Sequence, residues 1–510
     1  MMDFLHLWHF GSACPSTGNP VAAPVCVRRL DVLGSLVALG IALAGCSTNP
    51  ETGVQELVFV DAEEEAAIGA LAHPRILKAY GGAYGENGID AYVVSLVQRI
   101  AASSAQPERR YTVTVLDSPV ANAFSLPGDY IYVTRGLLAM ANDEAELAGV
   151  LAHEMGHVNA RHAAQRRTAS AGTSILGALA GVFLGKTVVD GVLSQGAKGL
   201  LAGYSRAQER EADLLAVGYL AQAGYDALAV RDFLQSMSNY AAFQARQLGE
   251  AYDAGQVGWL SSHPAFGDRV TDAAGYAARA MPGAPAAERA TERFHGAIDG
   301  LLYGESREDG YIRGRDFIQV EARYRFQVPQ NFQLANTRDG VWAIGPDKII
   351  VKFDVSRKEP DQEIAAYLTD EWAAALALQD VRVFEIDGLA SSSARTRVRG
   401  LVTQVVAIEA APDLVYRFLV GVPPQVGTKY DLAIADMVES FQLMSVAEAA
   451  SIKSLRLRVV PVRVGVSDED LSRRIAFGEH RLERFRLLNA VSSSAPLRVG
   501  QSVKLIVEGD

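Results

Sequence analysis

The sequence predicts a multidomain α+β protein: a mainly helical domain with a small sheet, then an α+β sandwich, then a small β-α-α-β domain. The chain has 510 residues, more than one hydrophobic core usually supports, which suggests about three domains. Amphipathic helical segments dominate its first half, whereas β-prone runs recur over 317–444. The predicted divisions are a signal segment (1–46), a first domain (47–280), a linker (281–310), a second domain (311–446) and a third domain (455–510).

The composition is typical of a globular protein and argues against a nucleic-acid partner. Hydrophobic residues make up 49% and charged residues 21% of the chain. The net charge is −11 and no basic run is present, so the sequence offers no surface for a phosphate backbone. All three cysteines (Cys14, Cys26 and Cys46) lie near the N-terminus, which excludes a disulfide framework in the body of the protein.

The N-terminus has the pattern of a secretory signal. Arg28 and Arg29 precede an apolar run over 30–42, which is too short and too rich in glycine for a transmembrane helix. The tetrapeptide Leu-Ala-Gly-Cys ending at Cys46 resembles the bacterial lipobox, which implies lipidation of Cys46 and a lipid-anchored protein of the periplasm. Ser47 then favours the outer membrane. The alternative is an anchor in which the cysteine is incidental.

The next elements are predicted from capping residues and periodicity. They are a helix over 61–72 that ends before Pro74, a helix over 89–102, a strand over 111–115 and a β-prone segment over 122–134 with a Pro-Gly turn. These elements predict a small sheet ahead of the central helix.

The central helix, predicted from Asn142 to Gln165, carries an HExxH motif at His153, Glu154 and His157. Residues four apart lie on one helical face, so the two histidines can direct their imidazoles at one ion. Glu154 can accept a proton from water beside that ion. Two nitrogen ligands, an open coordination position and a carboxylate are what a zinc hydrolase requires. The alternative is two histidines on an ordinary amphipathic helix.

Such a site needs a third protein ligand. Metzincins place a histidine six residues after the second one, with a glycine between them, but here these positions are Ala163 and Ala160. His162 lies about 140° around the predicted helix from His157 and so cannot join the same site. The metzincin arrangement is therefore excluded.

A later segment, 204–213, supplies carboxylates instead. Glu209 and Asp213 are four residues apart and share a helical face. Glu209 can bind the metal, and Asp213 can accept the N–H of a ligand histidine. Glu211 lies on another face and is the weaker candidate. The alternative is a solvated charged helix.

A sheet edge near the metal would explain how a substrate is held. Zinc peptidases usually bind substrate as an added strand through main-chain hydrogen bonds. The candidate edge is 121–126, and its proposed substrate-binding residues are Asn122, Ala123 and Phe124. The alternative is an ordinary hairpin.

Three motifs together carry a family resemblance: Asn-Ala-Phe-Ser-Leu-Pro-Gly from Asn122, the run from Glu146 to His157, and Tyr204-Ser-Arg followed by Glu209-x-Glu-Ala-Asp213. They resemble the zinc metallopeptidase family of the CAAX prenyl protease, particularly the periplasmic branch of beta-barrel-assembly-enhancing proteases. The resemblance covers about 62–279 and implies a gluzincin site. It implies one Zn²⁺ per chain held by His153, His157 and Glu209, with Glu154 as general base and Asp213 supporting a ligand.

The same resemblance singles out His263, which precedes a proline, together with Arg269. It implies that His263 either stabilises the oxyanion of the reaction or caps the zinc as a fourth ligand in a latent state. The alternative is a turn histidine before a helix. Relatives often continue with tetratricopeptide repeats, but no such repeat follows here, which leaves recognition by repeats without support.

The second domain is predicted to be an α+β sandwich, an antiparallel sheet with helices on one face. Predicted strands are 317–328, 341–344, 349–355, 381–386, 401–409 and 415–420, and predicted helices are 361–378 and 431–440. It contains no catalytic constellation, which favours a binding or positioning role.

The third domain has predicted strands over 457–464 and 502–507 that flank helices over 468–477 and 481–489. The β-α-α-β order and the pattern around Gly500 and Lys504 resemble a LysM domain, which implies a peptidoglycan partner. Gly465-Val466-Ser467 stands where that family usually has Gly-Asp-Thr. The alternative is a structural cap.

These observations predict a zinc metalloendopeptidase of the bacterial envelope that acts on unfolded or misassembled envelope proteins. A different class of function stays open: a latent or non-catalytic chaperone or scaffold that uses the same cleft for binding. A purely structural metal site has no use for Glu154, which favours the enzyme.

Overall fold

The computed structural model describes residues 46–49, 51, 53, 55–57, 60–169, 204–248, 259–263, 266–280, 287–337, 340–477, 480–494 and 497–509. The predicted signal segment up to residue 45 and the proline after His263 lie outside these ranges. Among the helices described, none combines the length and the apolar character needed to cross a membrane.

The helices are α1 (Ala62–Ala79), α2 (Ile89–Ala101), α3 (Arg135–Met140), α4 (Glu144–Asn159), α5 (His162–Ala169), α6 (Arg206–Gln222), α7 (Ala229–Leu248), α8 (Trp259–Ser262), α9 (Phe266–Ala280), α10 (Thr291–Ile298), α11 (Ile364–Ala366, continued by a π turn over Tyr367–Trp372), α12 (Asp431–Glu439), α13 (Val446–Ser451), α14 (Asp468–Ser472) and α15 (Arg481–Leu488).

The strands are β1 (Cys46–Thr48), β2 (Gln55–Leu57), β3 (Thr112–Leu116), β4 (Ala123–Leu126), β5 (Tyr130–Thr134), β6 (Leu302–Tyr303), β7 (Tyr311–Arg313), β8 (Asp316–Gln319), β9 (Tyr324–Gln327), β10 (Gln333–Thr337), β11 (Gly340–Ile344), β12 (Ile350–Arg357), β13 (Gln379–Ile386), β14 (Leu389–Val398), β15 (Leu401–Ala411), β16 (Leu414–Val422), β17 (Gln442–Leu443), β18 (Ser454–Pro461) and β19 (Ser502–Gly509).

The first part of the chain surrounds one helix, α4, whose residues are all buried. A small sheet in the order β3-β5-β4 lies beside it, with β3 parallel and β4 antiparallel to β5. Helix α6 packs against α4 so closely that a Cβ at Gly156 would lie 3.3 Å from Cα of Ala212. The mainly helical domain with a small sheet that the sequence predicts is therefore present.

Two helix ends differ from the sequence prediction. Helix α1 continues through Pro74, and the burial of Ala72 and Ile76 against the sheet outweighs the cost of a proline in the helix. Helix α4 ends at Asn159 instead of Gln165, because Arg161 adopts a positive φ of 55°. The chain therefore turns before His162, and an angle counted along a continuous helix does not apply to that residue.

The second part is a seven-stranded antiparallel sheet in the order β10-β11-β12-β16-β15-β14-β13. Neighbouring residues of a strand point to opposite faces, and Val405 and Val406 belong to different hydrophobic clusters. Helix α11 covers the Val405 face, while α12 and a second sheet, β17-β9-β8-β7, cover the Val406 face. The prediction of helices on one face is therefore wrong.

Two further elements of this part differ from prediction. The strand predicted over 317–328 is a hairpin of β8 and β9, because Arg323 turns the chain with a φ of 56°. The long helix predicted over 361–378 is only α11 and its π turn.

The last part has the predicted order β18-α14-α15-β19, with β18 and β19 antiparallel. Strand β6 pairs with β18 and completes a three-stranded sheet in the order β19-β18-β6. Residues of this part, including Leu457, Phe485 and Leu505, share one hydrophobic cluster with residues of α2, α4 and α7. The end of the chain therefore packs into the core that surrounds α4.

Candidate metal centre

Two helix starts bring the candidate ligands together. Asp143 caps α4 by accepting the N–H of Glu146, and the helix then presents His153 and His157 one turn apart. Ser205 opens α6 with a capping box, which places Glu209 in its first turn and Asp213 one turn later.

The structure brings four buried residues to one point: His153, His157, Glu209 and His263. Nε2 of His153 lies 3.0 Å from Nε2 of His157 and 3.2 Å from Nδ1 of His263. Oε1 of Glu209 lies 3.0 Å from that Nδ1 and 3.8 Å from Nε2 of His157, and its Oε2 lies 3.5 Å from Nε2 of His153. A tetrahedron of ligands about 2.0 Å from a zinc ion has edges of about 3.3 Å. These spacings fit such an ion.

The electrostatics of this cluster favour a cation. Burial, together with the neighbouring histidines His153 and His162, lowers the pKa of His157 well below its usual value, so its nitrogen lone pair is available. Burial opposes the charged form of His153, but Asp213 and Glu209 outweigh it and raise its pKa to about 9. The same two carboxylates would stabilise a cation bound at this point in place of the proton.

Arg269 helps to keep two carboxylates of α6, Glu209 and Asp213, charged. Burial opposes their ionisation, but Arg269 and nearby histidines lower the pKa of both Glu209 and Asp213. Arg269 donates to both oxygens of Asp213 at 2.7 Å, and its Nη1 lies 2.8 Å from Glu209. Asp213 in turn lies 3.0 Å from Nδ1 of His153. This chain of contacts orients two of the candidate ligands, His153 and Glu209.

Glu154 is fully buried beside the cluster. Its Oε2 accepts the hydroxyl hydrogen of Ser125 at 3.1 Å, and its Oε1 accepts the indole N–H of Trp259 at 3.3 Å. Nε2 of His263, which has no hydrogen-bond partner among the described residues, lies 3.4 Å from the same Oε1. The carboxylate therefore borders the four ligand atoms, where a general base would act.

The predicted substrate-binding residues lie at the start of β4. Asn122, Ala123 and Phe124 have buried side chains, and Phe124 packs against Tyr80 and Tyr132. Their side chains are therefore not available to a ligand, and the main-chain groups of Asn122 are already bonded to Thr134. Cys46, the predicted lipidation site, begins β1 and is not part of the metal cluster.

The sequence argument assigned no function at the site to several residues that the structure places there. Nδ1 of His162 lies 2.8 Å from Nδ1 of His157, and the ring of Tyr204 stacks on His157 at 3.7 Å. Trp259 and Ser125 contact Glu154, as described above. Tyr204 and His162 lie close in sequence to motif residues, but only the turn at Arg161 and the packing of α6 place them beside His157.

Comparison with known proteins agrees with this geometry. Residues 89–277 match the sequence profile of Peptidase family M48, a region that includes every residue of the cluster. The chain is 28% identical over 228 residues to a putative beta-barrel assembly-enhancing protease of Vibrio cholerae, covering 43% of each chain. It is 25% identical over 270 residues to the beta-barrel assembly-enhancing protease of Yersinia pestis, covering 49% of this chain and 53% of that one.

The chain is also similar to a mitochondrial protein. The chain is 33% identical over 183 residues to the mitochondrial metalloendopeptidase OMA1 of Schizosaccharomyces pombe, covering 35% of this chain and 50% of the relative. The chain thus spans about half the length of the curated relatives it matches. The predicted resemblance to zinc metallopeptidases is confirmed over residues 89–277, which match the model of Peptidase family M48.

Proposed function

We propose that the chain is a zinc-dependent metalloendopeptidase of the bacterial cell envelope. The observation that carries this proposal is the position of Glu154, which is buried directly beside a tetrahedrally spaced set of three histidines and a carboxylate. His153, His157 and Glu209 would hold one Zn²⁺. When bound, zinc supplies Lewis-acid chemistry, polarising a peptide carbonyl and acidifying water.

The residues of the chain itself would move the proton. Glu154 takes the proton of the attacking water and returns it to the leaving amine. Ser125 and Trp259 hold its two oxygens, so the carboxylate is already oriented before substrate arrives. Asp213 and Arg269 hold His153 and Glu209 in place.

Substrate would bind as a strand added to β4. The main-chain N–H of Thr134 donates to Asn122, and alternation along an antiparallel pair then directs the main-chain groups of Ala123 and Ser125 away from β5. This edge leads to Glu154 through the side chain of Ser125. Recognition through the main chain suits a protease that acts on unfolded proteins of varied sequence.

His263 would regulate access to the metal. Its Nδ1 occupies the fourth corner of the ligand set, which supports the latent role over the oxyanion role in this arrangement. Catalysis would then require His263 to withdraw, after which its imidazole could stabilise the oxyanion.

The location and partners follow from the signal pattern and the relatives. Lipidation at Cys46 would anchor the protein in the outer membrane on the periplasmic side. The names of the Vibrio and Yersinia relatives point to envelope proteins during beta-barrel assembly, and unfolded or misassembled members of that class are the proposed substrates. The β-α-α-β part would contact peptidoglycan through its exposed loops, where Val464 is 83% and Val499 64% exposed.

A second function has one specific observation in its favour. A complete set of four protein ligands is typical of structural zinc sites. If His263 never leaves, the chain would act as a chaperone or scaffold that binds unfolded envelope proteins without cleaving them.

The enzyme proposal is tested with the Glu154→Gln variant. We expect the purified variant to retain one zinc per chain, by elemental analysis, and to lose cleavage of an unfolded protein such as casein. Cleavage that survives in the variant would contradict the assigned general base.

The two functions are separated with the His263→Ala variant. Opening the fourth position should raise the rate of casein cleavage if His263 only blocks the metal. It should lower the rate, with KM little changed, if the imidazole mainly stabilises the oxyanion. Zinc-loaded wild-type and His263→Ala proteins that are both inactive would favour the scaffold.

A further inference from the structure

The two ligand histidines of α4 differ in what holds the ring nitrogen that faces away from the cluster. Nδ1 of His153 lies 3.0 Å from a carboxylate oxygen of Asp213. Nδ1 of His157 instead lies 2.8 Å from Nδ1 of another histidine, His162, which is fully buried. Ligand histidines usually donate their second N–H to a carboxylate, a carbonyl or water. A histidine in this place therefore needs support of its own.

His162 is in turn held by two more side chains, which lie farther from the candidate metal position. Nε2 of His162 lies 3.4 Å from Oε2 of Glu211, whose Oε1 accepts an amide N–H of Asn49 at 2.9 Å. Asn49 is only 2% exposed and follows β1, three residues after Cys46. A continuous line of contacts thus joins the N-terminal segment to His157.

The hydrogen positions along this line follow from the metal site. Nε2 of His157 faces the cluster, and a nitrogen that binds a metal carries no proton. The proton of neutral His157 is therefore on Nδ1 and is donated to Nδ1 of His162. That leaves the proton of His162 on Nε2, where it is directed at the carboxylate of Glu211. Each residue has one orientation that satisfies both neighbours.

The ring of His157 is also restrained from its face. Tyr204 stacks on it with the centroids 3.7 Å apart and the planes at 17°. The guanidinium of Arg166 lies 3.9 Å from the Tyr204 centroid. Stacking holds the plane of the imidazole, while the hydrogen bond to His162 sets its rotation within that plane.

We propose that His162, Glu211 and Asn49 form a positioning relay that fixes the tautomer and orientation of His157 as a metal ligand. The inference rests on the proposed metal site. It gives His157 the support that Asp213 and Arg269 give His153, but through an imidazole and from a different face of α6. It also makes metal binding depend on the N-terminal segment, because Asn49 orients Glu211.

The test measures zinc affinity of the full-length protein by competition with a chelator, and the visible spectrum of the Co²⁺ form. We expect His162→Leu to weaken zinc binding about 10–100-fold and to alter the Co²⁺ bands. His162→Asn keeps an acceptor near the Nδ1 position and should recover part of the affinity. Glu211→Leu should weaken binding about tenfold, and adding it to His162→Leu should change little, because the relay is already broken.

The controls separate positioning from folding. The unfolding temperature without metal should stay near that of wild type for Glu211→Leu, because its side chain is 25% exposed. His295→Asn, at a histidine that is 4% exposed in α10, should leave zinc affinity unchanged. If His162→Leu does not fold, Glu211→Leu and Asn49→Leu carry the test.

The outcomes are distinct for the two proposals. Wild-type protein that binds zinc, with variants that bind it equally well, would overturn the relay alone. Additive losses from His162→Leu and Glu211→Leu would also overturn it. Wild-type protein that binds no zinc would overturn the proposed metal site and the relay with it.

Discussion

The side chains that support this site are mainly charged groups that are buried and paired with one another. Glu209, Asp213 and Arg269 are each at most 1% exposed, a situation that is stable only when every charge has a partner. At the other end of α4, Glu144 accepts hydrogen bonds from Tyr92 and from arginines. Both groups hold the helix that carries the HExxH motif in place, one at its first turn and one at the face that carries the candidate metal ligands.

The hydrogen bonds of the Glu144 carboxylate predict that the stability of the fold depends on pH. Burial opposes its ionisation, but Arg293, Tyr225 and Tyr92 lower the pKa of Glu144 from 4.5 to about 2. The carboxylate therefore stabilises the fold above pH 4.5, and this stabilisation disappears as the pH falls toward 2. We expect about 1–2 kcal/mol at neutral pH, since the arginine partners are partly exposed.

The measurement compares urea unfolding of wild type and Glu144→Gln between pH 3 and pH 7. The difference between the two proteins should be largest at neutral pH and shrink below pH 4.5. A difference that does not vary with pH would show that the charge of Glu144 is not what stabilises α4.

A second prediction at this scale concerns Arg269→Met. Removing the guanidinium leaves Asp213 and Glu209 buried without their cation, which should cost about 3–5 kcal/mol of stability. The loss should be smaller with zinc bound, because the ion compensates part of the negative charge. Urea unfolding with excess zinc and with excess chelator measures both values, and equal losses would contradict the electrostatic explanation.

At the level of helices and strands, the close packing of α4 against α6 brings the candidate metal ligands together. A Cβ at Gly156 would meet Cα and the carbonyl oxygen of Ala212 at 3.3 Å and Cβ of Leu215 at 3.4 Å. Glycine at this position lets the helices pack closely enough for Glu209 to reach the two histidines. The glycine inside the HExxH motif thus has a packing role separate from the chemistry.

This packing predicts that Gly156→Val weakens zinc binding. The added methyl groups should push α6 outward, destabilise the protein by about 1–3 kcal/mol and move Glu209 away from His153. The matched control is Gly218→Val on α6, where a Cβ meets nothing within 4 Å. Chelator competition should show weaker zinc binding for the first variant only, and equal affinities would refute the close-packing argument.

The molecule as a whole is not arranged as separate parts in sequence order. Leu302 and Tyr303 of β6 pair with Arg456 and Leu455 of β18, so the seven-stranded sheet is inserted between two strands of one small sheet. Lys504 of β19 is fully buried and donates to the carbonyl oxygens of Ala139 and Ala141. Burial lowers its pKa to about 7, while Glu146 of α4 partly opposes that shift.

This arrangement predicts opposite outcomes for two deletions. Replacing 305–452 with a short glycine-rich turn should leave a folded protein that binds zinc, since β6 and β18 are antiparallel neighbours. Removing 454–510 should prevent stable folding, because each exposed core side chain costs about 1.5–3 kcal/mol and a typical domain has only about 5–15 kcal/mol. Circular dichroism and zinc binding measure both. A truncated chain that remains folded would contradict the shared core.

Much of the site was predictable because local spacing encodes it. The HExxH motif and the Glu209–Asp213 pair depend on helical periodicity, which sequence alone determines. The general architecture followed as well, since hydrophobic periodicity separates the helical first part from the strand-rich second part. The predicted domain boundaries remain predictions that the two deletions address.

Other features depended on contacts between distant segments. The helix through Pro74 and the helices on both faces of the large sheet follow from packing, which overrides local preference. The hydrogen bonds from Lys504 to the C-terminal end of α3 are of the same kind.

The sequence by itself determined which residue types the candidate site contains: two histidines and a glutamate on one helix, and a pair of carboxylates on another. Only the tertiary structure decided what surrounds that chemistry. The turn at Arg161 redirects His162 toward His157, and the chain folds His263 and Trp259 onto Glu154. Spacing along one helix is a local property, whereas a contact such as that between His153 and His263 joins residues 110 positions apart, and only the packing of the whole core brings such residues together.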